Sequence, residues 1–364
     1  MSIRKLFSSI FIFLLKIFCR PRGGRTLPPS PKKFLVIRQH NQFGDMLATI
    51  PLFRAIKENY PESEITLFAS PENYFAVTKN KYIDTVFNFD KKALYGISYL
   101  KQFFGVLRKG YDVVIVPVTV SISSTSSILA RMAKSKYTIG PASLDGKENE
   151  LSFLFDRAVE LDWRREPELN VARFVFGILA PLNIKSAGFS SHITFDDSDI
   201  KKADEFLNAL GFGSGRSLVG FHVGAGKPPN RWPLERFVSL IERLEKDFGI
   251  EFFFTGSSSD REQIEYMKNQ FGSSAGYFLN RSIPELAAVI SKCTLFITND
   301  TGVMHVAGAV EVPQISIFGP TNPNNWAPIG ENKFNIRNSE NINSVSVDEV
   351  YSQAKRILSG DQKK

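Results

Sequence analysis

LFITNDTGVMHVAGAVEVPQISIFGPT, residues 295 to 321, sets a buried strand, a polar turn, an amphipathic helix and a second buried strand in one reading frame. The apolar, β-branched runs 295–298 and 314–318 have the texture of parallel strands covered on both faces. Between them lies one crossover helix, expected over 303–310. Asn299, Asp300, Thr301 and Gly302 stand where strand gives way to helix, and their side chains are of the helix-capping kind. The first amides of such a helix lack intrahelical partners, and together with the helix dipole they form a site for an anion such as a pyrophosphate. Taken alone, the turn reads first as an ordinary N-cap. His305 falls one turn into the same helix, where its ring either reaches that anion or simply packs. Gly319, Pro320 and Thr321 end the second strand on the same carboxyl edge, where open α/β sheets bind ligands.

Outward from this segment the chain keeps alternating. Strands are expected over 34–37, 64–68, 85–89 and 112–117, with helices near 46–59, 72–79, 93–109, 121–136 and 171–179. A second series places strands over 218–223, 251–255, 295–298 and 314–318, with helices over 200–210, 234–247, 260–270, 283–291 and 347–358. Ser282 with Glu285, and Ser346 with Glu349, have capping-box spacing. This is an α/β chain of two Rossmann-like, doubly wound halves. Its 364 residues suit two domains, divided as 34–195 and 196–345, with a terminal helix and tail over 346–364.

Charge is concentrated at the amino terminus. Eight cations precede Phe34 (Arg4, Lys5, Lys16, Arg20, Arg22, Arg25, Lys32, Lys33), and no acid occurs before Asp45. The net charge of +8 therefore belongs to residues 1–33, and the remaining chain is formally neutral. A nucleic-acid-binding body is unsupported. The same arm carries LFSSIFIFLLKIF, residues 6–18, too short for a confident membrane span and without a small-residue cleavage site. An interfacial helix drawn to anionic lipid suits it, a disordered or signal-like leader being the alternative. Cys19 and Cys293 are far apart and have no metal spacing, which fits a reducing, cytoplasmic compartment.

The motifs are more specific than the texture. NDTGVMH followed by FGPTNPNNW resembles the carboxyl-terminal signature of glycosyltransferase family 9, the lipopolysaccharide heptosyltransferases. FGDMLATIPLFRAIKENYP, residues 43–61, is similar to that family's amino-terminal motif, and HVGAGKPPNRWPLERF, residues 222–237, to its middle one. SIPELAAVISKCTLFITND, from Ser282, matches the lead into the signature. The resemblance implies a GT-B fold, two Rossmann-like domains facing a central cleft, with the last helix packing back on the first domain. It also implies an inverting transferase that moves a sugar, most plausibly heptose from ADP-heptose, to a lipopolysaccharide core acceptor at the inner membrane. Two rivals are a nucleotide-sugar epimerase or hydrolase of the same fold and a non-catalytic glycolipid-binding relative.

Such a transfer needs a base for the acceptor hydroxyl and positive potential for the departing diphosphate. The resemblance assigns the base to Asp45, beside Gly44, which either lets the acceptor side approach backbone or merely shapes the turn. Without the resemblance Asp45 reads as a helix N-terminal acid. Acceptor contacts are expected in loops such as 118–127. Donor-side candidates are Asp300, Thr301, Gly302 and His305 at the signature turn, Gly224, Ala225, Lys227 and Arg231 in the middle motif, and Gly256, Ser257 and Asp260 at another strand end. Asp260 is a ribose ligand or a plain cap. Many family members carry Lys two residues before the motif's Trp; here it is Asn230, so phosphate charge falls to Lys227 or Arg231. Asp197-Ser198-Asp199 fits a metal-holding D-x-D pattern, but it opens a helix, where capping explains it. No cofactor and no metal are expected.

Overall fold

The computed structural model describes residues 12–17, 19, 25–39, 43–213 and 215–360. Of the arm, residues 1–11, 18, 20 and 21–24 lie outside the described residues, so most of the expected interfacial helix does too; residues 12–17 are helical. No helix among the described residues is long and apolar enough to cross a membrane. Arg25 ties the arm's end to the body, pairing with Asp156 at 3.7 Å and donating to the Ser135 carbonyl at 3.1 Å. The chain divides into two compact units, Met1–Phe189 and Ser190–Lys364, six residues before the boundary drawn from sequence.

In the first unit the order is β1 (Lys33–Arg38), α1 (Phe43–Ala48), α2 (Ile50–Asn59), β2 (Glu64–Ala69), β3 (Thr85–Asn88), α3 (Ile97–Arg108), β4 (Tyr111–Ile115), α4 (Ser124–Met132), β5 (Ser135–Leu144), β6 (Lys147–Glu148), β7 (Arg157–Leu161) and α5 (Val171–Phe176). The sheet runs β3-β2-β1-β4-β5-β6, with β7 also paired to β5, and only β6 is antiparallel. FLVI of β1 is wholly buried, as expected of a strand covered on both faces. The helix expected over 46–59 is two helices, because Pro51 lacks an amide to donate and starts α2 rather than continuing α1. The helix expected over 72–79 is one 3-10 turn, Tyr74–Ala76. β5 and β7 were not expected. Gly140 and Pro141 argue against a strand, and the sheet accommodates them with a register shift between Pro141 and Ser143.

The second unit comprises α6 (Asp197–Ala209), β8 (Leu218–His222), α7 (Leu234–Phe248), β9 (Glu251–Gly256), α8 (Arg261–Phe271), β10 (Gly276–Leu279), α9 (Ile283–Ile290), β11 (Leu295–Asn299), α10 (Gly302–Gly308), β12 (Gln314–Ile317), α11 (Pro323–Trp326), β13 (Lys333–Ile336) and α12 (Val347–Leu358). Its sheet is fully parallel in the order β10-β9-β8-β11-β12-β13. Both expected capping boxes form, at Ser282/Glu285 and Ser346/Glu349. α12 packs on α7 of its own unit: Arg243 lies over the Tyr351 ring at 3.6 Å, and Val350, Tyr351 and Ala354 join a core with Trp232 and Phe237. The apolar face of this helix is thus covered within its own unit.

Both sheets have the strand order in which the winding direction reverses at an inner pair, β1/β4 in one and β8/β11 in the other. Ligands of such sheets bind outside the carboxyl ends of that pair.

Candidate active site

At the reversal point of the first sheet, Arg38 ends β1 and Asp45 sits in the first turn of α1, both buried. Arg38 Nη2 lies 3.7 Å from Asp45 Oδ2 and donates to Thr119 Oγ1 at 3.0 Å. The Thr119 hydroxyl in turn donates to Asp45 Oδ2 at 3.4 Å. Thr119 comes from the loop after β4, so the two loops of the reversal point meet on one carboxylate. The cluster is braced from outside. Thr49 Oγ1 donates to the Asp45 carbonyl at 2.8 Å, Asn73 Nδ2 to the Arg38 carbonyl at 3.3 Å, and Trp163 Nε1 to the Thr119 carbonyl at 2.8 Å. Trp163 is stacked on Phe174, with ring centroids 3.9 Å apart. Burial pulls the Arg38 guanidinium below its ordinary value, and the Asp45 charge offsets part of that. Gly44 is buried within α1.

At the second reversal point Asn299 ends β11 fully buried and reaches across to the loop after β8. Its Nδ2 donates to the carbonyls of Val223 and Gly224 at 3.0 and 3.2 Å, and its Oδ1 accepts from Trp232 N at 3.1 Å. Asp300 is held from the same loop: Asn230 Nδ2 donates to Asp300 Oδ2 at 2.8 Å and to its carbonyl at 3.3 Å. Asn230 is itself buried. Asn230, standing where the resemblance implies a Lys, is thus spent on tethering the signature turn.

This arrangement corrects the expectation that Asn299, Asp300 and Thr301 cap α10. Asn299 and Asp300 are drawn toward the β8 loop, and Thr301, the N-cap residue, is extended and makes no side-chain capping bond. The turn therefore leaves the first amides of α10 without a side-chain cap, which is what an anion site requires. Thr301, Gly302 and His305 are half-buried there, and His305 is engaged with other groups.

Around this turn the other candidates divide. Ala225 is buried, and its carbonyl accepts from Arg231 Nε at 2.8 Å, which folds the guanidinium over the loop. Lys227 is exposed at the loop's tip. A Cβ on Gly224 would fall 2.1 Å from Asp260 Oδ1, so Asp260 packs directly against that backbone. Its Oδ2 accepts from Ser257 N and Oγ at 2.8 and 2.9 Å in a capping box, so capping is its visible task. Gly256 is half-buried and Ser257 exposed beside it. One chain of contacts thus links Ser257, Asp260, Gly224, Asn299, Asp300 and Asn230. Sequence reasoning missed Arg38, reached Thr119 only as part of the 118–127 loop and took Asn299 only for a capping residue; the available signal was a cation closing an apolar strand seven residues before Asp45, and an amide closing another.

Asp197-Ser198-Asp199 does the work of a helix start: Asp196 is the N-cap and Asp199 Oδ2 accepts from its amide at 3.0 Å. Among the described residues no group of His, Cys, Asp and Glu is clustered to hold a metal ion. A cavity of about 680 Å³ opens between Lys33, Tyr111 and Lys136, at the amino ends of β1, β4 and β5, on the edge opposite Asp45.

Two sheets of Rossmann order, each with its polar cluster at the reversal point, are the architecture of a two-domain, doubly wound α/β protein with ligand sites at the carboxyl edges of its sheets. The profile of glycosyltransferase family 9 (heptosyltransferase) matches residues 100–355, and the chain belongs to that family and is a glycosyltransferase. It is 24% identical over 301 residues to lipopolysaccharide heptosyltransferase 3 of Escherichia coli, covering 79% of this chain and 84% of that one. Its fold is that of the family 9 glycosyl transferase of Veillonella parvula (TM-score 0.78, 23% identity, 90% and 98% of the two chains). It is also that of the ADP-heptose lipopolysaccharide heptosyltransferase II of E. coli (TM-score 0.72, 18% identity, 91% and 100%). The GT-B fold expected from the motifs is thereby established. Asp45 precedes the stretch matched by the family.

Proposed function

We propose that this chain catalyses inverting, metal-independent transfer of a heptose from ADP-heptose to the core of a lipopolysaccharide acceptor at the cytoplasmic face of the inner membrane. Asp45 takes the proton of the acceptor hydroxyl while that oxygen forms a bond to the anomeric carbon. The bond from that carbon to the diphosphate breaks on the opposite face, and the leaving diphosphate departs with the electron pair. Negative charge then grows on the diphosphate. The first amides of α10, with Arg231 and Lys227, are suited to receive it. The observation that carries the reading is the α10 turn, whose three polar side chains leave the helix amides uncapped at a reversal point. The relatives' names supply the sugar and the acceptor class.

Incubation of the purified chain with ADP-heptose and core acceptor in excess EDTA tests this directly. The expected product is a heptosylated acceptor whose new anomeric configuration is opposite to that of the donor. Donor hydrolysis or epimerisation without acceptor, retained configuration, or activity that needs an added divalent cation would each overturn a named part of it.

A further inference from the structure

A second surface of the first unit has no task in the transfer reaction. After β3 the chain makes a 3-10 turn, Lys91–Tyr95, none of whose residues is buried, and then enters α3. Tyr95 is 94% exposed, Ile97 74% and Phe104 37%. Phe103 and Leu107 bury the opposite side of α3 in the core. Ile97, Lys101, Phe104 and Arg108 recur at the four- and three-residue steps of one helical face, and Arg108 lies over the Phe104 ring at 5.3 Å.

Its charge is one-sided. From Lys91 to Gly110 there is no acid. Lys109 is paired with Glu64, and the Asp90 carboxylate accepts from the Lys92 backbone amide, which leaves Lys91, Lys92, Lys101 and Arg108 around the apolar side chains. Aromatic and aliphatic groups framed by cations are the composition of a helix that lies in a membrane interface. A second copy of this chain fits poorly, because a two-fold contact would set the same cations against each other.

The position gives the surface a purpose. Arg38, Ala69 and Asn88 are in register across β1, β2 and β3, so Asn88 stands roughly 10 Å from Arg38 along the carboxyl edge. Lys91 begins three residues beyond, and its ammonium reaches Thr125 Oγ1 at 3.5 Å, beside the 118–127 loop that supplies Thr119.

We infer that residues 91–108 form a docking surface for an anionic lipid bilayer, which begins with 91–97 at the sheet edge that carries Asp45 and runs along α3 toward the opposite edge. The surface stands on its own composition; its service in presenting a membrane-borne acceptor rests on the transfer reading above. Vesicle binding is therefore measured without reference to turnover, on the full-length chain, with phosphatidylcholine vesicles containing or lacking phosphatidylglycerol. Replacing Tyr95, Ile97 and Phe104 together by Ser, or Lys91, Lys92 and Lys101 together by Glu, is expected to lower partitioning onto the anionic vesicles roughly tenfold. All six side chains lie on the surface, and an unchanged melting curve verifies that the variants are folded. Amide exchange over 91–108 is expected to slow when anionic vesicles are added. Wild-type partitioning by both variants would overturn the inference. So would a wild-type dimer in sedimentation that the Ser variant loses, which would make the face a protein interface.

Discussion

Arg38 and Asp45 put opposite charges side by side with both side chains about 3% exposed. Desolvating two ions costs several kcal/mol each, and their attraction returns that only while both are present. Arg38→Met should therefore destabilise the chain by about 3–5 kcal/mol, since it strands a buried carboxylate. Adding Asp45→Asn to that variant removes the stranded charge and should recover most of the loss. Urea unfolding of the two single variants and the double variant measures the cycle, and additive losses would show that the pair does not act as a unit. Asp45→Asn alone should keep donor binding while lowering turnover by roughly two orders of magnitude or more. Near-normal turnover in that variant would remove Asp45 from the chemistry. Asp45 itself was legible through a short motif. Its partners were not, because Thr119 lies 81 positions from Arg38 and is brought there only by the pairing of β1 with β4.

Elements whose signals are local were read correctly, and those that depend on neighbours were not. The capping boxes at Ser282 and Ser346 close within three residues, so sequence spacing suffices to find them. β13 is half-buried KFNI at a sheet edge, and nothing in those four residues distinguishes it from loop until β12 pairs with it. The turn at 299–302 shows the same limit: its residue types suggest caps, yet Asn230 and the β8 loop claim their side chains. If that turn cradles diphosphate, Gly302→Val should weaken nucleoside diphosphate binding more than nucleoside binding, since a branched Cβ crowds the amides. Equal losses in calorimetric titrations would move the cradle elsewhere. Lys333, on that same β13, holds the far end of α10 by donating to the carbonyls of Ala307, Val310 and Val312 at 3.2, 2.8 and 2.6 Å. Burial pushes its ammonium from 10.5 down to about 8. Between those values the folded chain binds fewer protons than the unfolded one, so unfolding takes up protons and stability rises with pH. Relative to Lys333→Met, the wild type should gain on the order of 2 kcal/mol across that window. A flat difference between the two melting-temperature profiles would refute it.

For the molecule as a whole, the division of labour follows charge. Residues 1–33 carry a charge equal to the whole net charge of +8, while the remaining chain, taken together, is formally balanced. An apolar segment or a polybasic flank alone gives weak, reversible attachment to a bilayer, and stable attachment takes two such signals together. The arm offers both, and the 91–108 face adds a shorter set on the folded body. Arg25 pairs with Asp156 of that body, so a truncation that keeps it preserves this contact, while the contact of Lys16 with the Phe153 ring at 5.8 Å is removed with the arm. Deleting residues 1–24 should then lower affinity for anionic vesicles by roughly two orders of magnitude, because the apolar leader and five of its flanking cations leave together. It should leave a small remainder, carried by residues 91–108, that vanishes at high salt as screening shortens the reach of Lys91, Lys92 and Lys101. Turnover on a delipidated acceptor should be unaffected, since the Asp45 cluster and the α10 turn are built from Arg38, Asp45, Thr119, Asn230, Asn299 and Asp300, all retained in the truncated chain. Flotation of both chains over a salt series measures all three outcomes. Equal binding by the truncated and full chains would show that the arm is not an anchor and that the body alone meets the membrane.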